Sequence, residues 1–222
     1  MTETVSAKRV MSVNAGEPRQ LLVGNTPVVT AIFKSPVEGR VTVRGYNLAG
    51  DRQADLTVHG GPHKAIYLYP SEHYSYWAKE LPNTELPFGI FGENLTTVGL
   101  TEESTRIGDQ FRIGSVVLQV TQPRMPCYKL GIRFDRSDMV KRFWISGHSG
   151  MYFSVVEEGE LGAGDIIEQV ASGPEEIMVA DVVRLFRGDE NDPIKLRSAL
   201  KSPLRGGWKQ ELEERRWDLI AG

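Results

Sequence analysis

The chain has 222 residues, of which 40% are hydrophobic and 25% charged, with a formal net charge of −3 and a pI near 5.9. That composition supports a sizeable core, in one large β-rich domain or a main domain with a small appendage. It also gives no global attraction to nucleic acid or to anionic membranes. A single cysteine excludes an intramolecular disulfide framework and a cysteine-cluster zinc site, and fits a reducing cytoplasm.

The opening MTETVSAKRVMSVNAG has no continuous apolar core of signal-peptide length. VVTAIF and IGSVVLQV are too short to span a bilayer. A soluble, cytoplasmic protein is expected. Segments 28–34, 40–46, 65–69, 94–100 and 115–121 are rich in Val, Ile, Thr and Tyr, and Gly, Pro or Asp separates them. Such runs predict strands joined by turns. Helices are predicted over 71–81 and 137–146. The similar fragments RIGDQFRIG and GAGDIIEQV read as turns entering barrel strands. Many short strands of irregular spacing favour a mainly β domain over 1–173, built as a closed or nearly closed barrel. From 174 to 222 three pieces with helical apolar spacing are separated by Pro or Gly, predicting a small three-helix unit packed on the barrel. Its basic stripe RLFR…LKSPLRGGWK reads as a solvated face.

The one cysteine stands in TQPRMPCYKLG, residues 121–131. Free cysteines are usually buried small hydrophobes. Here Pro123 and Pro126 cannot donate to a ladder and disfavour helix before them. The strand should therefore end near Gln122, leaving PRMPC as a stiff loop at the barrel rim. With Arg124 and Lys129 nearby, a thiol there would sit in an electropositive, accessible setting that favours the thiolate, the form that attacks or binds metal. A second cluster, GDRQADLTVHGGPHK at 50–64, places Gly60 and Gly61 so that backbone N–H groups approach an anion, with Arg52, His59, His63 and Lys64 around them. Gly-Gly is equally a plain turn. In a third, FGIFGENLTTVGL, Glu93 and Asn94 follow a glycine at a strand entrance, where they either line a pocket mouth or cap the turn.

Taken in order, GDRQADLTVHGGPHKAIYLYP, FGENLT and QPRMPCYKL resemble the MOSC domain family, and the C-terminal helical extension is similar to its YiiM-type branch, associated with resistance to 6-N-hydroxylaminopurine. The resemblance implies a β-barrel holding a molybdenum cofactor, with Cys127 as the metal ligand. It implies cofactor contacts from Arg52, His59, Gly60, Gly61, Lys64, Asn94 and Arg124, and proton delivery or water orientation by His59 and Glu93. It also leaves room for pyridoxal phosphate binding. The activity implied is reduction of small N-hydroxylated compounds in detoxification. With no flavin or nicotinamide fingerprint and no cysteines for an iron–sulfur cluster, electrons would come from a separate flavoprotein or heme protein. A homodimer stays open, and no nucleic-acid polymer or membrane partner is expected. Tyr67, Tyr69, Tyr74 and Trp77 form either a stacking wall for a purine or part of the core. Two other readings stand beside this one. One is a cofactor carrier or sulfur-handling protein without turnover; the other is a metal-free hydrolase or transferase with Cys127 as nucleophile and His59 as base.

Overall fold

A computed structural model describes residues 7–54, 60–205 and 207–220. In chain order the strands are β1 (Arg9–Ala15), β2 (Arg19–Val23), β3 (Thr26–Thr30), β4 (Ser35–Pro36), β5 (Arg40–Arg44), β6 (Asn47–Leu48), β7 (Ile66–Pro70), β8 (Leu95–Val98), β9 (Gln110–Ile113), β10 (Val116–Pro123), β11 (Met151–Glu157), β12 (Gly159–Gly162) and β13 (Ile167–Ala171). The α-helices are α1 (Tyr74–Glu80), α2 (Tyr128–Phe134), α3 (Met139–Ser146), α4 (Val179–Arg187), α5 (Pro193–Lys201) and α6 (Gly207–Ile220). Eight strands form the main sheet in the order β13-β9-β10-β11-β7-β8-β1-β4, with β12-β5-β6 and β2-β3 as smaller sheets. Only β7 and β8 pair in parallel; the other named ladders are antiparallel.

Strand makes up 33% and helix 27%, so the fold is mixed and sheet-rich rather than mainly β. The barrel expectation is corrected in the same way: among the described residues the main sheet does not close. Strand β1, next to the β4 end, approaches the start of β13 at one antiparallel bridge, Arg9↔Ile166, supported by Val10 N–H to the Asp165 carbonyl at 3.0 Å and by Gly164 N–H to the Val10 carbonyl and Ile167 N–H to the Lys8 carbonyl, both at 2.9 Å. A bridge of that length closes no continuous ladder. The two fragments read as turns entering strands do lead into β9 and β13, and these pair with each other, Ile113 opposite Ile167. Of segment 28–34 only the part to Thr30 is strand, so 31–34 leaves the ladder and carries Lys34 elsewhere.

β7 shows why the sheet has apolar material on both faces. Its side chains alternate. Ile66 and Leu68 join a large cluster with Phe111, Leu118, Phe153 and the C-terminal helices. Tyr67 and Tyr69 join another with Trp77, Phe91, Phe134 and Phe143. The first cluster includes Val179, Val182 and Val183 of α4, Leu196 of α5 and Trp208 and Leu212 of α6. The C-terminal segment thus shares the core of the sheet. Its start is stitched on by Val179 N–H to the Thr105 carbonyl at 2.9 Å. Asp192 caps α5 by accepting from the Ile194 N–H at 2.8 Å, with Pro193 in the first turn. The predicted helix over 71–81 is a 3-10 turn followed by α1, and that over 137–146 is α3. Among the described residues no helix is long and apolar enough to cross a membrane.

Candidate active site

The loop Arg124–Cys127 joins β10 to α2. β10 runs one residue past the expected end, to Pro123, which pairs with Met151; a proline is tolerated there because nothing further continues the ladder. Cys127 is extended, at φ −126 and ψ 170, immediately before α2, and its carbonyl accepts the Leu130 N–H at 2.9 Å. Half-buried, the residue lines a cavity of about 100 Å³.

Five cationic residues share that lining: Lys34, Arg52, Lys64, Arg124 and Lys129. Asp51 is the acid among the described lining residues. Arg124 is almost fully buried and donates to the Phe91 carbonyl at 2.9 Å. Its guanidinium lies 4.7 Å from the Tyr67 ring centroid and 5.4 Å from that of Phe143. Burial works against its charge, but Tyr67, Tyr152 and Cys127 beside it raise its pKa overall. That is a permanently charged group at the sulfur's side of the cavity.

Lys34 is 8% exposed, and its Nζ donates to Asp51 Oδ1. The same carboxylate accepts from the Gly16 N–H at 2.9 Å and from Asn94 Nδ2 at 2.9 Å. Burial lowers the pKa of Lys34, with Asp51 and Glu93 opposing the fall and Arg124 adding to it. Lys64 is lowered by burial too.

Of the residues singled out from sequence, Arg52, Lys64, Asn94, Arg124 and Cys127 come together at this cavity. Arg52 is exposed and lies 3.7 Å from Glu17. Asn94 is a spacer: besides Asp51 it serves the Tyr67 N–H, which donates to its Oδ1 at 3.1 Å. Gly60 and Gly61 are not part of the lining. The Gly61 N–H is already given to Gln53 Oε1 at 2.9 Å, and a φ of 94 explains why glycine is needed there. His59 lies outside the described residues. Glu93 is fully buried and is not in the lining either. Its carboxylate accepts from Tyr74 Oη, the Gly89 and Phe91 N–H groups and Thr96 Oγ1 at 2.5–3.1 Å, so it fixes the 88–96 turn. Tyr69 and Trp77 are core residues joined by Trp77 Nε1 donating to Tyr69 Oη at 2.6 Å, and Tyr74 is committed to Glu93; only Tyr67 of those four lines the cavity. Lys34, Asp51 and Tyr152 also line it. Sequence reading placed Lys34 in a strand, and for Asp51 the one signal was its place beside Arg52 in GDRQAD.

The donor set tests which cofactor suits the cavity. Among the described residues no three His, Cys, Asp or Glu are grouped to hold a metal ion. One soft sulfur ringed by cations fits instead a metal that arrives in its own anionic, sulfur-bearing organic chelate with a phosphate.

Residues 55–168 match the MOSC domain, and the chain belongs to that family. It is 38% identical to Protein YiiM of Escherichia coli (strain K12) over 84% of each chain. A Gibberella moniliformis protein named Reductase is 32% identical over 80% of this chain, which spans 32% of that longer protein. Among solved structures, YiiM from Geobacillus stearothermophilus superposes with a TM-score of 0.77 at 30% identity, covering 94% of this chain and 98% of that one.

Proposed function

We propose that the protein is a molybdenum-cofactor-dependent reductase that removes oxygen from N-hydroxylated compounds, such as 6-N-hydroxylaminopurine or amidoximes, in detoxification. The observation that carries this reading is the meeting of the one thiol with five cationic residues in one cavity. The reductase name of the fungal relative supports the reaction class. Cys127 would hold the metal through its sulfur, and Arg124, Lys129, Lys64 and Arg52 would hold the anionic arm and phosphate of the cofactor. The bound cofactor supplies the two-electron redox chemistry. Arg124 keeps its place because Phe91, Tyr67 and Phe143 fix the guanidinium. Electrons enter from a separate flavoprotein or heme protein.

The test is turnover. Protein loaded with molybdenum cofactor and given a chemical reductant should convert 6-N-hydroxylaminopurine to 6-aminopurine, followed by its absorbance change. Zero turnover across N-hydroxylated purines and amidoximes, with cofactor still handed to an apo-enzyme, would identify a carrier instead.

A further inference from the structure

Lys34 is a buried ammonium with spare hydrogen-bonding capacity. An ammonium offers three N–H donors, and among the described residues Asp51 is the one hydrogen-bond partner of Nζ. Lys34 lines the cavity while its side chain is 9% exposed. A desolvated donor without acceptors is costly, so a ligand oxygen in the cavity is its natural complement. Asp51 is itself immobilised by Gly16 and Asn94, which aims Nζ from a fixed point.

We propose that Lys34, oriented by Asp51, donates the proton that lets the oxygen depart from the substrate nitrogen. The idea rests on the reductase reading above. In R–NH–OH + 2e⁻ + 2H⁺ → R–NH₂ + H₂O, the N–O bond breaks and one O–H and one N–H bond form. The two electrons come from the reduced cofactor. One proton passes from Lys34 Nζ to the departing oxygen, and the other reaches nitrogen from solvent. Lys34 is left as a neutral amine, which regains its proton from water at the cavity mouth. Burial lowers the pKa of this amine below the ordinary lysine value, which makes the ammonium a stronger acid. The charged groups acting on it come from three separate segments: Asp51 after β6, Glu93 before β8 and Arg124 after β10.

The experiment compares wild type, Lys34→Met and Lys34→Arg, each reconstituted with cofactor, by molybdenum content, kcat, KM and pH profile. Arginine keeps the positive charge but does not release a proton near neutral pH. Both variants should retain molybdenum and lose kcat by about 10²–10⁴-fold with little change in KM. The wild-type kcat should fall as pH rises through the Lys34 pKa, and that limb should be missing from both variants. Wild-type kcat in Lys34→Arg would leave only an electrostatic role, and loss of molybdenum in Lys34→Met would make Lys34 a cofactor anchor; each overturns the proposal. If Lys34→Met does not fold, Lys34→Met/Asp51→Asn removes both charges of the pair together and is read in the same way. A second readout is independent of turnover: ¹³C NMR of reductively dimethylated lysines should contain one signal titrating below the rest and absent from Lys34→Met. Absence of such a signal also overturns the proposal, whereas failure of the wild type to turn over at all sinks the reductase reading instead.

Discussion

Glu93 and Asp51 are both buried carboxylates, and their surroundings differ in kind. Glu93 is surrounded by neutral donors, two backbone N–H groups and two hydroxyls, which fix the turn it sits in and tie that turn to α1 through Tyr74. Burial raises its pKa. Asp51 instead faces a cation, and both members of the pair line the cavity. A buried polar group whose partners are all internal fixes a fold, whereas one that keeps donors turned to a cavity leaves room for a ligand.

Removing each group should sharpen that difference. Glu93→Ala orphans two N–H groups and two hydroxyls at once, and should cost about 3–5 kcal/mol. At about 2–4 °C per kcal/mol for a chain of this size, calorimetry should find the melting temperature lower by about 10 °C, with molybdenum still bound by the protein that remains folded. Loss of molybdenum at unchanged stability would place Glu93 in the site after all.

Asp51→Asn should act through charge. Lys34 has a folded pKa below its unfolded value, so the stability it contributes is fully present above the ordinary lysine pKa and is lost as pH falls through the folded one. Without Asp51 that folded value drops further. The deficit of the variant relative to wild type should therefore be largest near neutral pH and close as pH approaches 10.5, the usual value for lysine. Denaturant titrations across that range measure it; a deficit independent of pH would mean that Asp51 acts only through the Gly16 and Asn94 hydrogen bonds.

The smallest expected change is Tyr74→Phe. It removes one donor from a carboxylate that keeps three others, and should cost about 1–2 kcal/mol while leaving cofactor content alone. A loss as large as that of Glu93→Ala would show that the phenol, rather than the turn amides, holds Glu93.

Much of the site was legible in the sequence, because proline stiffness and the clustering of basic residues around a lone thiol are local signals. The loop that carries Cys127 and Arg124 could be read directly from PRMPC. Lys34 could not: it closes VVTAIFK, which reads as a strand, while the chain leaves the sheet after Thr30. The Gly61 amide was misplaced for a related reason, since its partner Gln53 is chosen by tertiary folding. Helix α2 went unseen because seven residues with a glycine in the middle carry little helical signal. The Gly-Asp turns at 108–109 and 164–165 lead into strands β9 and β13 as their sequences suggest, but the pairing of those two strands with each other joins residues far apart in the chain and left no local signal. Full closure of a barrel is not legible, because a sequence of short strands does not reveal whether the last ladder forms; here β1 and the start of β13 meet at a single bridge.

The most direct measurement is the molybdenum-to-protein ratio of wild type beside Cys127→Ala, both expressed in a host that makes the cofactor. A cavity built around that sulfur requires near-stoichiometric metal in the wild type, almost none in the variant, and melting temperatures within a few degrees of each other. Equal metal in both proteins, or none in either, would contradict a cofactor held through Cys127.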